Sequence, residues 1–168
     1  MMVPLDSLLG LSGVQIQEFV ELEHHVVLKL ELISKEMMCP HCGQTITRIN
    51  QNRPILVRDL AIFGRSVYLQ VPRRQFYCPH CRRYSTETLL FVDWERPYTQ
   101  RYETHIYQQV KQATIEQVSQ NEGLSQDQVE GIFNHQFEKR QAKKKPKGFG
   151  LRKSVSTSSV CAKDIINM

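Results

Sequence analysis

Val14 to Phe19 alternates apolar and polar side chains, and Val26 to Ile33 does so again after the polar stretch Glu21 to His25. Alternation puts every second side chain on one face, so the pair predicts a β-hairpin. Ile55 to Asp59 and Ser66 to Val71 are two further strand-like runs with Phe63-Gly64 as the turn between them, and Arg73 to Tyr77 follows. From Pro97 onward the period becomes helical. Tyr102, Ile106, Gln109 and Val110 share one face of a helix expected from near Thr99 to about Gln112. Thr114 with Gln117, and Ser125 with Gln128, are capping-box patterns that open a second and a third helix. Gly123 suits the C-terminal stop of the second. Val129, Ile132, Phe133 and Phe137 are the predicted apolar face of the third.

The last two helices fit a helix-turn-helix position by position. With Ile115 first, Val118 is the buried fourth residue, Ser119 the small fifth, Gly123 the turn and Leu124 the apolar residue after it. Val129 and Ile132 then fill the buried places on the last helix. The residues expected to face a major groove are Gln126, Asp127, Gln128, Glu130 and Asn134, and Gln and Asn can pair with adenine there. Two of the five are acidic and this helix segment holds no Lys or Arg, so phosphate attraction must come from elsewhere.

Four of the five cysteines form two matching knuckles, Cys39-Pro40-His41-Cys42 and Cys78-Pro79-His80-Cys81, with 35 residues between them. A two-residue gap lets both thiolates of a knuckle meet one metal, and two knuckles complete the closed four-thiolate shell of structural zinc. Such a shell leaves no open position for catalysis, and its binding free energy becomes folding free energy. A redox dithiol or a disulfide is the competing reading of one such pair; two identical pairs favour metal. His41 and His80, between the ligands, are expected to point outward, and Cys161 reads as a free thiol. Knuckle, β-hairpin, knuckle is the order of a zinc ribbon. The expected class is α+β: a small β-rich zinc ribbon followed by a three-helix helix-turn-helix domain. The corresponding boundaries are 1–95, 96–140, and a basic linker with a disordered tail over 141–168.

Charge adds a partner. Residues 39–83 carry Arg48, Arg53, Arg58, Arg65, Arg73, Arg74, Arg82 and Arg83 against the single acid Asp59. Residues 138–168 are basic again, with Lys143, Lys144 and Lys145 in the linker, whereas 1–38 and 84–137 are acidic. Two separated basic blocks suit a polyanion such as DNA, although a solvated basic surface would look the same. The arginines would be displayed from the ribbon sheet; Phe76 and Tyr77 nearby could stack on bases, or more plainly pack on the metal site. At 40% hydrophobic with no long apolar run, 168 residues read as a soluble globular chain, cytoplasmic by default.

The chain resembles the ISL3 family of bacterial insertion-sequence transposases over about residues 1–147. The resemblance rests on Leu8-Leu9-Gly10-Leu11-Ser12-Gly13-Val14, the two C-P-x-C knuckles, Val57-Arg58-Asp59-Leu60 and Arg73-Arg74-Gln75-Phe76-Tyr77-Cys78. It implies one structural Zn2+, recognition of terminal inverted repeats, nucleoid association, and an intact transposase or a second copy as further partner. The family's catalytic domain carries two aspartates and a glutamate. Only 20 residues follow Gly148 here, and Asp164 is the sole acid among them. The expectation is therefore a truncated, non-catalytic DNA-binding chain. A zinc-ribbon module that binds another protein is the alternative, favoured by the acidic recognition helix. An enzyme in its own right has no visible Ser-His-Asp set, phosphate loop or open metal site.

Overall fold

The computed structural model describes residues 9–144 of the chain. The alternating segments form β1 (Val14–Glu21) and β2 (His25–Leu32), an antiparallel hairpin. The knuckle region contributes β3 (Met37–Met38), β4 (Thr45–Ile46) and β5 (Ile49–Asn52). A second long hairpin follows, β6 (Ile55–Ile62) and β7 (Arg65–Val71), and then β8 (Arg74–Cys78) and β9 (Arg83–Thr86). Phe63 and Gly64 both adopt positive φ, as a tight two-residue hairpin loop requires.

The β6–β7 hairpin does not belong to the metal-binding sheet, contrary to the simple ribbon order read from the knuckles. Strand β7 pairs in parallel with β2, giving a four-stranded sheet of order β1-β2-β7-β6. Its apolar face buries Val26, Leu28, Leu30, Val57, Val67, Leu69 and Val71, joined by Leu89 and Val92. That core would be lost if the hairpin stayed with the small sheets, which have no comparable apolar face to offer it. The ribbon consists of the β3–β4 pair and a separate sheet of order β5-β8-β9.

Three helices follow: α1 (Gln100–Val110), α2 (Ile115–Glu122) and α3 (Gln126–Lys144). Thr99 caps α1, its hydroxyl accepting from the Tyr102 amide, and Thr114 caps α2 in the same way toward Gln117. Gly123 stops α2 in the left-handed conformation that a residue without Cβ adopts most cheaply. Tyr102, Ile106, Val118, Val129 and Ile132 form the helical core. Phe137 is largely exposed; the buried place one residue earlier goes to Gln136, which donates to the buried carboxylate of Glu103. Helix α3 runs four residues past position 140, through the start of the expected linker. The tail expected to be disordered, with Cys161, lies outside the described residues. Among the described residues no helix is long and apolar enough to cross a membrane.

Candidate metal centre and nucleic-acid interface

The two knuckles close on each other across the ribbon. The sulfurs of Cys39 and Cys81 lie 3.7 Å apart and those of Cys42 and Cys78 3.6 Å apart. All four sulfurs lie within 4.8 Å of one another. A tetrahedron with metal–sulfur bonds of about 2.3 Å has edges of about 3.8 Å, so these two sulfur pairs match its edges and the four donors are close enough to share one zinc. The first knuckle turns back on itself: the Gly43 amide donates to the Cys39 carbonyl, and the Cys39 amide donates to the Gln44 carbonyl. The turn places the residue after each second cysteine at positive φ, Gly43 at 71° and Arg82 at 57°. Backbone amides also face the thiols. The His41 amide holds Cys39 down to about 7, whereas burial pushes Cys81 up to about 12. Ile46 and Phe76 are the apolar groups buried with the ligands, and His41 and His80 point outward. The four cysteines hold one structural zinc.

A second cluster that could ligate a metal, Asp93, Glu103 and His135, is already satisfied by protein groups. Glu103 accepts from Arg96 at 2.6 Å, His135 at 2.7 Å and Gln136 at 2.8 Å, and Lys139 and Gln100 donate to Asp93. Two cationic side chains, Arg96 and Lys139, already pair with these carboxylates. This is a polar core joining α1, α3 and the loop before α1.

The helix-turn-helix is α2, the Gly123 turn and α3. Val118 and Ser119 are buried, Leu124 packs against the core, and Val129 and Ile132 are fully enclosed. Gln126 and Asn134 project outward, as do Asp127 and Glu130. Gln128 is also exposed, but its carbonyl oxygen accepts from the Ser125 amide at 2.9 Å while Ser125 Oγ accepts from the Gln128 amide. The capping box thus occupies half of the side chain expected to read bases.

The arginines divide into two groups. Arg48, Arg53, Arg65, Arg82 and Arg83 are exposed, Arg65 pairing with Glu21, and Arg73 lies partly covered with its guanidinium 4.2 Å from the Trp94 ring centre. Arg58 and Arg74 turn inward. Arg74 forms a two-pronged pair with Glu87 at 2.6 and 2.7 Å and leans on Phe76. Arg58 reaches the C-terminus of α2, where it meets the Glu122 carbonyl and carboxylate and covers the Tyr102 ring. Sequence alone places both among the phosphate-facing arginines; the structure turns their guanidiniums onto Glu122 and Glu87. Lys143 is exposed at the end of α3, and the side chain of Lys144 and all of Lys145 lie outside the described region.

The sequence alone assigns no role to Asp59, Glu103 or Glu122. Asp59 is buried and accepts from Thr99 and Arg101, and Arg101 also donates to the Leu9 carbonyl. Glu122 gathers Arg58, Tyr102 and His105. The signal for Asp59 was present: it is the one acid among eight arginines, an unlikely place for a carboxylate unless it has a fixed partner.

Residues 35–81 match the zinc finger of the transposases of IS204, IS1001, IS1096 and IS1165. Residues 87–136 match the helix-turn-helix domain of the transposase family ISL3. The transposase for insertion sequence element IS1001 of Bordetella parapertussis is 29% identical over 90 residues, 54% of this chain. The chain spans 22% of the length of that relative. No solved structure matches the chain.

Proposed function

On the premise that this chain carries the zinc ribbon and the helix-turn-helix of the ISL3 transposases, we propose that it recognises the terminal inverted repeats of an insertion sequence as duplex DNA. The observation that carries this reading is the outward edge of α3. Gln126 and Asn134 project there from a helix seated on α1 and α2 by Val129 and Ile132. Amide side chains on a rigid helix can make paired hydrogen bonds to adenine in the major groove. The exposed arginines of the ribbon, Arg48, Arg53, Arg82 and Arg83, with Arg73 and the Lys143 to Lys145 run that begins at the C-terminal end of α3, supply the phosphate contacts that the first turns of α3, with Asp127 and Glu130, lack. Arg58 and Arg74 are left out of that set because their partners are internal.

Asp127 and Glu130 favour a second reading, in which α3 docks on a basic protein surface such as another transposase subunit. Titration of the zinc-loaded chain with a labelled duplex carrying the inverted repeat separates the two. DNA recognition predicts tighter binding to the repeat than to a shuffled duplex, with affinity falling steeply as salt rises. Asn134→Ala should lower that discrimination by about tenfold. Equal, weak affinity for both duplexes would sink the repeat reading and leave the protein-docking one.

A further inference from the structure

Strand pairing sets Tyr77 of β8 opposite Tyr84 of β9. Their ring centres are 5.1 Å apart with planes inclined at 47°. The Arg48 guanidinium lies 5.4 Å from the centre of the Tyr77 ring. Next to Phe76, which turns into the metal core, Tyr77 faces the other way because alternate residues of a strand point to opposite sides. Of Phe76 and Tyr77, only Phe76 packs on the metal site. Tyr84 is 56% exposed, so the aromatic pair is displayed on the outside of the sheet, away from the zinc ligands.

The charge around this platform is one-sided. Arg82 is exposed beside Tyr84, while Arg83, opposite Cys78 in the register, lies on the metal side of the sheet, 3.4 Å from His41. Between Glu36 and Glu87 the only acid is Asp59, which is buried against Thr99 and Arg101. No carboxylate of the ribbon therefore opposes a phosphate chain crossing this face. Duplex DNA keeps the faces of its bases stacked inside the helix, so exposed tyrosine rings can gain stacking only from unpaired bases. An arginine-flanked aromatic platform on an open sheet has the chemistry of a single-strand binding surface rather than of a groove reader.

We propose that the outward face of the β5-β8-β9 sheet binds single-stranded DNA, with Tyr77 and Tyr84 stacking on unpaired bases and Arg48 and Arg82 holding the phosphates. This surface is separate from α3 and works whether or not α3 reads a repeat. The test is fluorescence anisotropy of the full zinc-loaded chain with a labelled oligothymidylate of about 12 nucleotides. The wild-type chain binds it in a salt-sensitive way. Tyr84→Ala weakens that binding about tenfold or more, Tyr84→Phe retains it, and zinc content stays at one per chain in both. Repeat-duplex binding is unchanged by Tyr84→Ala, whereas Asn134→Ala has the converse pattern. Absence of oligothymidylate binding by the wild-type chain, or equal affinity of the wild-type and Tyr84→Ala chains, would overturn the proposal. A chain that ignores the repeat duplex but holds oligothymidylate through Tyr84 would remove the repeat reading and leave this one standing.

Discussion

At the scale of single residues, the two knuckles solve one backbone problem with unequal means. Both need a left-handed residue after the second cysteine; the first has Gly43 and the second has Arg82 at φ 57°. A side chain in that conformation costs about 1 to 2 kcal/mol, partly offset by the greater freedom that glycine has when unfolded. Arg82→Gly is therefore expected to raise the stability of the zinc-loaded chain by about 0.5 to 1 kcal/mol in urea unfolding, even as it removes a phosphate contact. Gly43→Ala should lower stability by about 1 kcal/mol through the backbone alone, since nothing lies within 4 Å of the added Cβ. Phe63 is a similar case. Fully exposed and at φ 51°, it occupies the first place of the β6–β7 loop, where asparagine is preferred. Phe63→Asn should raise the thermal midpoint, and a fall would show that the ring packs on something when the chain is folded.

At the scale of elements, the metal matters most where apolar material is scarcest. The ribbon core holds Ile46 and Phe76 beside its cysteines, with Met37 packed against them. The four-stranded sheet and the helical unit each have a core of their own. Removing zinc with a chelator is expected to unfold β3–β5, β8 and β9 while the helical circular-dichroism signal persists. Hydrogen exchange would then show protection lost in the ribbon and kept in α1 to α3. Cooperative loss of all three units on chelation would mean that the ribbon nucleates the whole fold. Because thiolates bind zinc and thiols do not, zinc affinity should also fall as pH is lowered.

At the scale of the whole molecule, buried carboxylates fasten the helix-turn-helix to the strands. The Arg58 amide donates to the Pro97 carbonyl and the Thr99 amide to the Arg58 carbonyl, so the chain entering α1 runs along the edge of β6. Asp59 then receives Thr99 and Arg101 at the N-terminus of α1, where a negative charge also meets the positive end of the helix dipole. Asp59→Ala leaves Arg101 without its main partner and is expected to cost about 3 kcal/mol. The same change should weaken duplex binding only as far as it unfolds the chain, which comparison of affinity with folded fraction would check.

The elements themselves were legible in the chain. Alternation located β1, β2, β6 and β7, the capping pairs at Thr114 and Ser125 opened α2 and α3, and the spacing of the knuckles gave the ligands and their metal. These are local features, set by residues a few positions apart, and local physics reads them. Short strands such as β4 and β9 have too few residues to show a period, and the parallel pairing of β2 with β7 joins segments some 40 positions apart in the chain. Which arginines face solvent is a matter of the same distance: Arg58 and Arg65 look alike in sequence, yet one ends on the half-buried Glu122 and the other on the exposed Glu21. A charged side chain declares its type along the chain, but its partner is chosen in three dimensions. The cost of burying a charge left Arg58 and Arg74 inside only because folding brought carboxylates to meet them.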